Sequence, residues 1–343
     1  MPPVSVLDLS PVPAGEPEAQ AIRNTLALAR DAERLGFHRY WLAEHHGGRM
    51  VASSAPEVLI GHVAAATASM RVGSGGMMLP NHAPLKVAEQ FKMLEALHPG
   101  RIDLGIGRAP GTDQMTALAL RRSRQAMFAD DLPDQLGELL ASAGARPWPD
   151  DHPFRHVRAA PIEVPLPPIY LLGSSEYSAV VAAQNGFGFG FATHIAPALA
   201  VDVLRLSRER FRPSPEFPEP HAILAHAALL ADDDATARRL AAPARVAFRR
   251  LRAGRPGPIP TLEEALVEGG EASGDGTGDR VVVGSAETVR DRLDSLVDAS
   301  GADELMILTT THGHEERRRS YELLAEAYHL EPRSAAAPPG RAT

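Results

Sequence analysis

The chain of 343 residues contains no cysteine. That excludes disulfides, iron–sulfur clusters and thiolate zinc sites. It also lacks a basic excess: 35 Lys and Arg stand against 43 Asp and Glu, a formal charge of −8. Nonspecific binding to nucleic acid or to an anionic membrane needs a basic face, so neither is expected. No apolar run approaches the ~18 residues of a membrane span. The opening residues, MPPVSVLDLS, have neither the basic segment nor the apolar core of a secretion signal. These absences point to a cytoplasmic protein. With 44% hydrophobic residues the chain can bury a sizeable core, and its length suits one large domain or two ordinary ones.

What is present is alternation. β-rich runs occur at 4–10, 39–45, 70–79, 101–107, 167–175, 187–194, 221–231 and 304–310. Between and after them lie segments with helical spacing of apolar residues, at 18–36, 56–69, 84–100, 113–140, 176–186, 197–211, 233–251, 285–301 and 314–330. Eight strands, each followed by helix, fit a (β/α)8 TIM barrel better than a doubly wound sheet. The expectation is one barrel domain over residues 1–332 with inserted loops. Residues 142–168 are rich in Pro and charge and read as a loop or small excursion. Residues 252–280 are rich in Gly, Pro and acid and read as a mobile or disordered loop. The tail 333–343 reads as disordered.

In such a barrel the chemistry sits where the strands end. The stretch WLAEHHGG, 41–48, puts Glu44, His45 and His46 at the end of the second strand. Neighbouring residues on a strand face opposite ways, so the two histidines do not chelate one metal together. One functional and one structural histidine is the expectation. A metal site from Asp8, His45, His194 and His312 is an alternative, but no HxH or HExxH spacing supports it; no metal is expected. The segment GSSEYS, 173–178, ends a strand in small residues and opens a helix. Its free N–H groups and hydroxyls make an anion site of Gly173, Ser174, Ser175 and Ser178, against the plainer reading of an N-cap serine. Arg108, at the preceding strand end, would pair a phosphate bidentately; the alternative is a surface ion pair. The segment GSGG, 73–76, lets a flat ligand approach the backbone, or marks a bulge. The segment GIGRAP, 105–110, is not a dinucleotide fingerprint, because its sixth position is Pro. A flat ring, a phosphate and a histidine beside them describe flavin mononucleotide, though not uniquely.

Over about residues 3–330 the sequence resembles the bacterial luciferase-like flavin-dependent monooxygenases. The resemblance is carried by SVLDLSPV (5–12), AERLGFHRYWLAEHH (32–46), SSAPEVLIGHVAAAT (53–67), RVGSGGMMLPNHAPLKVAEQF (71–91), LHPGRIDLGIGRAPGTD (97–113), IYLLGSS (169–175) and VGSAETVRDRL (283–293). The AEHH and LHPGRIDLGIGR segments are the specific ones. The resemblance implies a two-component enzyme that takes reduced FMN from a separate NAD(P)H:flavin reductase. It implies that O2 and a C4a-peroxyflavin oxidise a small organic substrate, and that the protein is a homodimer. His45 matches the catalytic histidine that governs the flavin peroxide. Gly75 and Gly76 match a non-prolyl cis peptide under the flavin ring. Arg108, Ser174, Ser175 and Ser178 match the phosphate site, with Arg121 or Arg122 as a second phosphate arginine. The cysteine that precedes the position of Arg108 in luciferase subunits is replaced here by Gly107, so any role of that thiol is absent. The loop that shields the flavin in the family corresponds to 252–280, which is poor in aromatic residues. Three alternatives stay open: hydride transfer by the deazaflavin F420, which related barrels use, flavin binding without catalysis, and a metal-dependent barrel hydrolase.

Overall fold

A computed structural model describes residues 1–125, 131–270 and 280–333. Its strands are β1 Val4–Asp8, β2 Arg39–Leu42, β3 Arg71–Ser74, β4 Met77–Met78, β5 Ile102–Gly107, β6 Ile169–Gly173, β7 Gly188–Ala192, β8 Ala222–Leu230, β9 Val281–Gly284 and β10 Glu304–Leu308. The pairings run β1–β2–β3–β5–β6–β7–β8, all parallel, and β10 joins both β8 and β1. That closes an eight-stranded barrel wrapped by helices, as the alternation predicts. Strands buried on both faces read as near-continuous apolar runs. The longest, β8, is AILAHAALL, with all nine residues buried.

Helix boundaries follow local chemistry. The first helix, Glu18–Leu35, ends at Gly36, which is left-handed at φ 93. A Cβ there would lie 2.3 Å from the Glu331 carbonyl, so both the turn and the close approach call for glycine. The outer core lies between the strands and the helices, and a smaller cluster that includes Leu7, Trp41, Tyr170, Ile223 and Met306 fills the barrel. The strand starts are closed by a buried polar plug. Arg39 donates to Asp103 at 2.8 Å and to Glu304 at 2.7 Å. Trp41 Nε1 donates to the same Asp103 at 3.0 Å. Polar groups at this end of a barrel serve stability, which leaves the opposite end for chemistry.

Three details depart from the sequence reading. The run 70–79 is two strands, β3 and β4, separated by a cis Gly75–Gly76 peptide. The four residues of β9 are an extra strand outside the ring, paired with the second half of β8. Part of 252–280 is built structure: Ile259 bridges to Pro13, and the helix Leu262–Val267 is opened by a Thr261–Glu264 capping box. Ala265 of that helix is buried with Ala242 and Val246. Residues 271–279 of that loop and the tail 334–343 lie outside the described residues, as do 126–130 within the helical stretch 113–140. The segment 142–168 runs irregularly past the end of the helix Leu132–Ser142 and contains a cis Ala160–Pro161 bond. Among the described residues, no helix is long and apolar enough to cross a membrane.

Candidate active site

A cavity of about 730 Å³ opens at the strand C-termini, a size that suits a small-molecule site. His45, Gly75, Gly76, Arg108, Gly173, Ser174, Ser175 and Ser178 all line it. Four different strand ends therefore bring the sequence candidates to one place.

The two adjacent histidines divide as the strand geometry requires. Glu44 is fully buried and acts as a hub. It accepts from the Met78 backbone N–H at 2.7 Å and is bonded to His46 Nε2 at 2.8 Å and His82 Nε2 at 3.0 Å. Burial alone would raise its pKa. The bonds from His82, His46 and Met78 outweigh that and hold the carboxyl below its ordinary range. Glu44 in turn draws the His82 pKa up, against the effect of burial. His46 is tied down further, since its carbonyl accepts from Thr112 at 2.6 Å. His45 shares none of these side-chain bonds. Its Nδ1 is buried without a hydrogen-bond partner. Burial holds this imidazole below its ordinary pKa, with His46 adding to the effect and Glu44 opposing it. A neutral imidazole with one free nitrogen can accept or pass a proton.

Beside it, Gly75 and Gly76 keep the wall flat. A Cβ on Gly75 would lie 2.6 Å from Leu7 Cδ1, and one on Gly76 would lie 2.7 Å from Leu172 Cδ1. On the next side, Ser175 caps the helix Glu176–Asn185 from an extended conformation, and its hydroxyl is not used in capping. Ser174, Ser175 and Ser178 line this side of the cavity at the N-terminal end of that helix. A Cβ on Gly173 would lie 2.3 Å from Ser178 Oγ, so only glycine leaves that hydroxyl in place. Arg108 lies over the Tyr177 ring at 4.6 Å, which steers the guanidinium along the same helix.

His194 and Arg280 also line the cavity. The His194 pKa is pushed down to about 4 by burial first, then by His226, with Arg280 and His45 adding to the effect. The sequence marked His194 only as a strand end and as one ligand of the metal alternative. Arg280 had no sequence signal of its own, although the β-branched run VVV just after it betrays β9.

Other candidates are not brought together. Asp8 is buried and bonded to Thr25 and Arg317, outside the cavity. His312 Nε2 contacts the Ala14 carbonyl at 3.1 Å. The four-residue metal alternative therefore has no common centre. Arg121 donates to Asn81 at 3.2 Å, and neither it nor Arg122 is among the residues lining the cavity.

Fold and site together define a (β/α)8 barrel with one cavity at its strand C-termini. The profile of the luciferase-like monooxygenases matches residues 3–304, and the chain belongs to that family. It is 44% identical over 329 residues to the uncharacterized protein YvbT of Bacillus subtilis, covering 95% of this chain and 96% of that one. It is 35% identical to the N-acetyl-S-alkylcysteine monooxygenase of the same organism, covering 94% of this chain and 97% of that one. The crystal structure of apo-MsnO8 superposes with a TM-score of 0.89 at 39% identity, over 97% of this chain and 100% of that one. More distant barrels share the fold alone. They include a 3,6-diketocamphane monooxygenase component in complex with FMN, at 20% identity, and an F420-dependent secondary alcohol dehydrogenase, at 14%.

Proposed function

We propose that this protein is the oxygenase of a two-component system. It binds reduced FMN and uses it with O2 to oxidise a small organic substrate. The observation that carries this is the free, buried Nδ1 of His45 in the same cavity as a cradle that a single Cβ at Gly173 would fill. Gly173, Ser174, Ser175, Ser178 and Arg108 would hold the phosphate. Gly75 and Gly76 would leave space for the ring. Bound reduced FMN would supply the electrons that activate O2. His45, neutral and catalytic, would hold or transfer one proton at Nδ1. The apolar lining would keep water from the reacting atoms.

The absence of a nicotinamide fingerprint supports a separate NAD(P)H:flavin reductase as partner. The family resemblance supports a homodimer, and the relative named for N-acetyl-S-alkylcysteine supports a small organic substrate. Equilibrium titration under anaerobic conditions tests the cofactor. The expected result is binding of oxidised and reduced FMN, with riboflavin at least ~10-fold weaker for want of the phosphate. Preferential binding of F420 would replace the oxygenase with a hydride-transfer enzyme. Binding of none of the three would overturn the reading.

A further inference from the structure

Several arginines line the cavity, and one of them, Arg238, is paired with Asp234 at 4.0 Å. They are Arg108, Arg238, Arg245, Arg280 and Arg292, and among the described residues no Asp or Glu lines the cavity, in a protein whose net charge is −8. Arg108 belongs with the phosphate cradle. Arg280 lies elsewhere: it directly precedes β9, and His194 follows β7, so in strand order it stands beyond His194 from the cradle. Its Nη1 donates to the carbonyls of His194, at 3.1 Å, and of Ile195. Its guanidinium lies 5.9 Å from the Phe248 ring centroid. These contacts fix the group in space without neutralising it. Nε and Nη2 have no carboxylate partner among the described residues. That edge is the planar fork that grips a carboxylate or sulfonate bidentately. The lining positions on β7, β8 and β10 include Ala192, Ala225, Ala227, Met306 and Leu308, all apolar.

We infer that the substrate is an amphiphilic organic anion, with its charged end held by Arg280 and its apolar body along β7, β8 and β10. This rests on the flavin reading for the use of the site. Arg280 itself touches substrate and fixes which end enters.

The test is isothermal titration of FMN-loaded protein, in which the cradle is filled, with octanoate and octane-1-sulfonate against octan-1-ol and octylamine. Wild type should bind the two anions at least ~10-fold more tightly than the alcohol, as one charge-assisted fork supplies. Arg280→Gln should abolish that preference and leave octan-1-ol within about twofold of wild type. Arg280→Lys, which keeps the charge but loses the fork, should retain part of it. Equal affinity for anion and alcohol, no binding of either anion, or a preference intact in Arg280→Gln would each overturn the inference. Flavin fluorescence reports FMN binding separately, so its absence refutes the flavin reading alone. The same titrations, run on flavin-free protein with inorganic phosphate saturating the cradle, then decide the role of Arg280 by the same outcomes.

Discussion

His46 Nε2 lies 2.8 Å from Glu44 Oε1, and that bond separates the roles of two adjacent histidines. It commits His46 to the scaffold and leaves His45 facing the cavity. His45→Ala should therefore keep FMN affinity within a few fold while product formation falls by about 100-fold, the lower range for a lost acid or base. More of the oxygen consumed should appear as hydrogen peroxide. Parallel assays of product, oxygen and peroxide check this, and unchanged coupling would remove His45 from the chemistry.

Glu44 holds together segments far apart in sequence, at His46, Met78 and His82. Glu44→Ala should lower unfolding stability by about 3 kcal/mol, because it strands a buried N–H and two imidazoles. Urea denaturation followed by circular dichroism measures it. A loss within error would mean that water replaces the carboxylate at little cost.

Arg108 should act on the phosphate and not on the ring. Arg108→Gln should weaken FMN binding by about 10- to 100-fold, the worth of a charge-assisted hydrogen bond. Riboflavin affinity should not change. Equal weakening of both ligands would show that Arg108 shapes the pocket and does not read the phosphate.

His194 makes stability depend on pH in a definite direction. Its pKa is pushed from 6.5 down to about 4, mainly by burial, so between those values it is neutral when folded and protonated when unfolded. The unfolded state then binds more protons, and stability falls as pH falls from 6.5 toward 4. His194→Gln should flatten that decline. Unfolding midpoints measured at several pH values test the slope, and identical slopes in the two proteins would refute it.

The barrel was legible because parallel strands, buried on both faces, are apolar runs that the eye can count. The cavity was legible because strand ends and glycines mark it: every proposed site residue, from His45 to Ser178, lines the same space. What escaped depends on contacts distant in sequence. The four residues of β9 follow a Gly- and Asp-rich stretch, and their short β-branched run is placed by pairing with β8. Arg280 is placed by carbonyls some 85 residues earlier. The role of Glu44 rests on His82, 38 residues away. The run at 70–79 read as one strand; the cis peptide that the family resemblance placed at Gly75–Gly76 is present and divides it into β3 and β4.

The most direct test is to bind reduced FMN to the protein without oxygen, then mix rapidly with oxygenated buffer and follow absorbance and peroxide. The account predicts reoxidation slower than that of free FMN, with a transient near-ultraviolet absorbance that belongs to neither oxidised nor reduced FMN. Reoxidation at the rate of free flavin, with stoichiometric peroxide and no transient, would contradict it.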